Sequence, residues 1–207
     1  LVPGHLEVKR ISPEAEPGAP AAYGGAGSID GKIPGKFWIN LRSTDLHSKY
    51  SLPDLAAHEA IPGHVWQGEY ANRLPLIRTL LAFNAYSEGW ALYAEQLVDE
   101  LGLYDDFPVG RLGYLQSIAF RCCRLVVDSG IHAKHWTREQ GVQQMLAAGL
   151  SDTDANIETN RYITWPGQAL TYKVGQREIE RLRTEIAQRD GSRFDLRAFH
   201  DAVIGHR

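Results

Sequence analysis

The spacing of apolar residues divides the chain into a stretch without period and a longer one with the helical period. From Pro3 to Pro34, a stretch that includes PEAEPGAPAAYGGAGSIDGKIPG, turn signals recur every few residues and no apolar repeat appears. Residues 1–35 therefore read as an extended, loop-like Pro/Gly-rich arm. In Lys36–Leu41, Phe37, Ile39 and Leu41 alternate with Trp38 and Asn40, the period of a strand with one buried face, and such a strand can offer its edge to an extended peptide. From Pro53 the period is helical. Leu76, Leu80, Leu81, Asn84, Glu88, Ala91, Leu92 and Glu95 recur at three and four and predict one long helix. Further helices are expected over about Val109–Val127, from a capping box at Thr137 and Gln140 to near Gly149, and from Ser151 to a break at Trp165-Pro166-Gly167. Two more are expected, over Ala169–Gln188 and Leu196–Ile204. The fold class expected is mainly α with a small β element, at least one strand preceding the histidine segment, and residues 36–207 forming one helical domain.

Composition narrows the function classes. With 43% hydrophobic and 23% charged residues the chain can bury a real core. A net charge of -3, with both signs interspersed, gives no basic face for nucleic acid. No apolar run reaches the length of a membrane span. The chain as given shows no signal peptide, so the cytoplasm is the default expectation, and export holds if a leader was removed. Cys122 and Cys123 are adjacent in a helix, point about 100° apart, and are expected as small buried thiols with no bridge between them.

Chemistry concentrates in His58-Glu59-Ala60-Ile61-Pro62-Gly63-His64. Catalytic zinc takes three His or carboxylate ligands and needs a Glu to manage the proton of a water. The histidines are six apart rather than four, and on a regular helix they would diverge. Pro62 removes a backbone donor and clashes with the carbonyl of His58, and Gly63 tolerates almost any dihedral, so the helix breaks or bulges and swings His64 back toward His58. Glu88 and Glu95, two turns apart on an apolar stripe, then supply the third ligand and a carboxylate that orients a His ligand. The plain alternatives stand beside this reading: a surface or core His, and a buried Glu paired to an Arg.

The segments LAAHEAIPGH (from Leu55), YSEGWALYAE (from Tyr86), VDSGIH (from Val127) and RYITWPGQALTYK (from Arg161) together resemble the bacterial family known as domain of unknown function 885, over nearly the whole chain. That family is similar to helical zinc metallopeptidases of the Glu-zincin group, which implies a metal-dependent peptidase or hydrolase without naming a substrate. Val65 stands where the family often has a second histidine, which favours His64 as the ligand. Family members are typically more than twice this length, so the chain resembles a C-terminal catalytic portion.

The expected mechanism holds Zn2+ on His58, His64 and Glu88, with Glu59 as general base, Glu95 and Asp128 behind the ligands, and the oxyanion donor drawn from His132, Tyr172, Arg161 or Tyr162. For each tyrosine a core aromatic is the competing reading. His132 and His135 as a metal pair by themselves lack an acid to complete a set. His47, His200 and His206 are expected on the surface. The expected substrate is a peptide or small amide. A hydrolase of small amides or esters, an inactive metal- or substrate-binding module, and a purely structural helical domain remain as alternatives.

Overall fold

The structure is a computed structural model that describes residues 6–81 and 83–205; His206 and the first five positions of the expected arm lie outside them. Three strands, β1 (Leu6–Arg10), β2 (Ala22–Gly25) and β3 (Gly35–Ile39), form a sheet in the order β1-β3-β2. β1 runs parallel to β3 with Leu6 opposite Gly35, and β2 runs antiparallel to it with Ala22 opposite Ile39. This corrects the loop-like arm: two of the three strands come from it. β1 (LEVKR) alternates only Leu6 and Val8 and β2 (AYGG) is half Gly, runs too short to read as strands before the ladder joins them.

β3 is the central strand and has no free edge for a peptide; the edge nearer the helices belongs to β2. The alternation expected through Leu41 also ends early. Asn40 is fully buried and Leu41 is exposed, because the Asn40 amide donates to the carbonyls of Glu16, Ala19 and Pro20 at 2.8, 3.2 and 3.3 Å. A buried amide with three acceptors is a stable substitute for an apolar side chain.

The helices follow as α1 (Leu52–Glu59), α2 (His64–Ala71), α3 (Ile77–Leu80), α4 (Asn84–Glu100), α5 (Pro108–Lys134), α6 (Arg138–Ala147), α7 (Asp152–Thr164), α8 (Thr171–Asp190) and α9 (Leu196–Gly205). Among the described residues none is long and apolar enough to cross a membrane. α6 starts on the capping box of Thr137 and Gln140, and Ser151 caps α7. The single long helix expected from Leu76 is instead α3 and α4. Leu76, Leu80, Leu81 and Phe83 are exposed, Phe83 by 74%, since apolar spacing marks a face without guaranteeing an element to cover it.

α4 is central. Trp90, Ala91, Leu92, Tyr93 and Ala94 are all fully buried, because α1 and α2 pack on one side and α8 on another. At the α4–α8 crossing a side-chain carbon on Gly89 would lie 2.5 Å from Gly175, so the two backbones touch directly beside Glu88. One core cluster joins α4, α8 and α9 through Trp90, Tyr93, Ile179 and Phe199. A second joins α5, α6 and α7 through Val127, Met145 and Tyr162. A third, with Ala22, Phe37 and Ala60, seats the sheet against the end of α1. Cys123 is buried as expected but Cys122 is exposed. His47 and His200 are tied down rather than free at the surface: the His47 ring lies 2.6 Å from the carbonyl of Asn40, and His200 lies 2.8 Å from the Tyr93 hydroxyl.

Candidate metal centre

The HEAIPGH segment is a break between two helices. α1 ends at Glu59, residues 60–63 are not helical, and α2 begins at His64. Gly63 is required by close approach: a side-chain carbon there would sit 1.8 Å from the His58 carbonyl oxygen and 2.4 Å from that of Ala57. The Trp90 indole donates to the Pro62 carbonyl at 2.8 Å and pins the break to α4. His58 on the last turn of α1 and His64 on the first of α2 thereby face one another, ring centroids 4.9 Å apart and edge to face.

Glu88 of α4 completes the cluster. Its Oε2 lies 3.2 Å from His64 Nε2 and 3.6 Å from His58 Nε2, and one donor atom from each of the three residues falls within 4.8 Å of the other two. A tetrahedral zinc with bonds of about 2.1 Å sets its ligand atoms roughly 3.4 Å apart, which the donor types and the two Glu88-to-histidine distances match. Behind it, the His58 Nδ1–H donates to Glu95 Oε1 at 2.6 Å, and the Ser117 hydroxyl donates to Glu95 Oε2 at 2.9 Å. Glu95 is fully buried, and the bond it accepts leaves His58 Nε2 as the nitrogen turned to Glu88.

The charges compensate locally. Burial pulls the His58 imidazolium down, but hydrogen bonds to Glu88 and then Glu95 outweigh it and hold the group up to about 10. Burial pushes Glu88 up, and its bonds to His58 and His64 win, holding it well below the usual carboxylate range. Asp54, buried one turn before His58, is pushed up to about 8 by desolvation and by the charge of Glu95.

Glu59 stands outside the three-residue cluster but lines the same cavity of about 420 Å3 as His58 and Glu95. Its Oε2 accepts the backbone N–H of Gly24 on β2 at 2.7 Å. A side-chain carbon on Gly24 would fall 2.0 Å from the Glu59 carbonyl oxygen, so glycine lets the edge strand press against the end of α1.

The other expected residues separate into two groups. Tyr172 is brought to the site, its ring stacked 6.4 Å from that of His58, with the Arg124 guanidinium 4.1 Å over the ring. His132 is not: it is exposed, and its Nε2 lies 2.9 Å from the Tyr162 carbonyl oxygen. Asp128 accepts the Gly167 N–H at 3.0 Å and supports that turn, not a histidine. Arg161 contacts Gln168 at 3.1 Å and Glu158 at 3.5 Å. Tyr162 is buried with no partner for its hydroxyl, and desolvation pushes its pKa up. Sequence reasoning missed Ser117, Arg121 and Arg124. With Tyr114 and Asp128 they recur at three and four along α5, a polar stripe on the inward face and a signal of the same kind as Glu88 and Glu95 on α4.

Comparison with known proteins adds a family and a scaffold. A family model described as "Bacterial protein of unknown function (DUF885)" matches residues 1–206. The crystal structure of the "putative lipoprotein from Colwellia psychrerythraea" is 45% identical, with a TM-score of 0.93 over 97% of this chain and 35% of that one. A "putative lipoprotein of unknown function from Shewanella oneidensis" is 31% identical, with a TM-score of 0.79 over 96% of this chain and 38% of that one. The chain thus spans well under half the length of either. No curated protein matches it.

Proposed function

Because the chain belongs to the bacterial family DUF885, whose function is unknown, we propose its chemistry from its own side chains: a zinc-dependent hydrolase of the Glu-zincin type that cleaves short peptides. One observation carries the reading, the gathering of His58, His64 and Glu88 onto a single point beside a cavity that Glu59 also lines. Zinc, when bound, supplies a Lewis acid for the scissile carbonyl and acidifies the attacking water. Glu59 takes the proton of that water and passes it to the leaving amine. Glu95 holds the His58 ring, and Tyr172 walls the site beside it. The cavity volume favours a small substrate over a folded protein. The lipoprotein names of the two similar structures support an exported setting in place of the cytoplasmic default.

Metal content by elemental mass spectrometry tests the reading. The wild type is expected to carry about one zinc per chain, and His64→Ala to lose it. Glu59→Gln is expected to keep the zinc and lose at least about a hundredfold in peptide turnover. Folded protein that takes up no zinc from excess, or a Glu59→Gln variant with full activity, would overturn it.

A further inference from the structure

Arg121 on α5 stands at the edge of the candidate metal centre. It lines the cavity that His58, Glu59 and Glu95 line. Its guanidinium lies 4.9 Å over the ring of Phe120 and 4.9 Å over that of Tyr172, its Nε is buried with no hydrogen-bond partner, and among the described residues it makes no ion pair. Among the described residues, none of the carboxylates lining the same cavity pairs with it. Glu59 accepts from Gly24, Glu95 from His58 and Ser117, and Asp154 from the Ser151 hydroxyl at 2.7 Å. Glu158 lies 3.5 Å from Arg161 and 3.8 Å from Arg124, and Asp54 is buried beside Glu95 with its Oδ1 lacking a hydrogen-bond partner. Arg124, only 2% exposed, places a second guanidinium 4.1 Å over the Tyr172 ring, its own Nε also unpaired.

A guanidinium fixed by aromatic stacking, with its edge unpaired, is shaped for a bidentate carboxylate. The Tyr172 ring lies 6.4 Å from the His58 ring and 4.9 Å from the Arg121 guanidinium, so the guanidinium stands no more than about 11 Å from the His58 ring. Up to three residues of extended peptide, at about 3.4 Å each, cover that separation. We infer that Arg121 binds the free C-terminal carboxylate of a short peptide, an amide of which lies over the His58, His64 and Glu88 cluster. The cleavage half of this statement rests on the hydrolase reading; the binding half does not.

The test is equilibrium dialysis of the zinc-treated chain against a tripeptide pool randomised at all positions, made once as free acids and once as C-terminal amides, with retained and cleaved peptides quantified by mass spectrometry. The wild type is expected to retain the free acids at least about tenfold more than the amides, the effect of a hydrogen-bonded charge. Arg121→Gln should abolish the preference at unchanged zinc content, and Arg121→Lys should keep part of it. Equal retention of the two pools, retention of neither, or a preference that survives in Arg121→Gln overturns the inference. Equal cleavage of acids and amides overturns it while leaving the hydrolase reading intact. Preferential retention of the acids with no cleavage of either pool sinks the hydrolase reading and sustains carboxylate binding.

Discussion

The chain breaks a helical region twice with the same dipeptide, at Pro62-Gly63 and at Pro166-Gly167, and the two glycines are there for different reasons. Gly63 has an ordinary negative φ of -78° but no room for a side chain, with the last carbonyls of α1 in the way. Gly167 has φ 80°, in the left-handed region, with open space around it. The first break is held by Trp90 from the fully buried stretch of α4, the second by the carboxylate of Asp128. The first aligns two imidazoles on one carboxylate. The second reverses the chain so that Gln168 accepts from Arg161 and Arg124, at 3.1 and 3.4 Å, and its amide reaches the Tyr172 hydroxyl at 3.3 Å. The same dipeptide thus brings two histidines to one carboxylate where packing is tight and makes a wall where conformation alone is needed.

Substitutions at the two breaks should separate these roles. The largest effect is expected at Gly63→Ala, where the new carbon collides with backbone: a loss of about 3 kcal/mol, a drop in Tm of roughly 10 °C, and loss of zinc in elemental analysis. Zinc retained at full stoichiometry would break the comparison. Glu95→Gln should weaken zinc binding by about 10- to 100-fold in a chelator competition, because His58 loses the partner that fixes its ring. Asp128→Ala removes a charged acceptor from Gly167 and should cost about 2 kcal/mol in a denaturant titration with zinc affinity unchanged; a matching loss of zinc would join the two sites into one. Gly167→Ala is the mildest, about 1 kcal/mol for a side chain forced to positive φ, again without effect on the metal.

How much was legible follows the range of the interactions. The starts of α6 and α7 are set within four residues, by Thr137 with Gln140 and by Ser151, and they read directly from the chain. Glu88 and Glu95 were visible because carboxylates on an apolar stripe violate the pattern around them. The equivalent stripe of Ser117, Arg121 and Arg124 went unread because α5 also carries exposed apolar residues, Leu112, Leu115 and Val126 among them, which blur its inward face. His132, placed with the site by the motif it follows, is held on another side by the Tyr162 carbonyl.

By itself the sequence determined the helical period, the caps, the two Pro-Gly breaks and the donor types of the candidate metal centre, all consequences of spacing and of covalent backbone limits. Only the tertiary structure decided that the Gly- and Ala-rich start pairs into a sheet, that Glu59 anchors to Gly24 across 35 positions, and that Arg121 reaches the cavity with no ion pair among the described residues. Those depend on which distant surfaces exclude water from each other, and no local period encodes that.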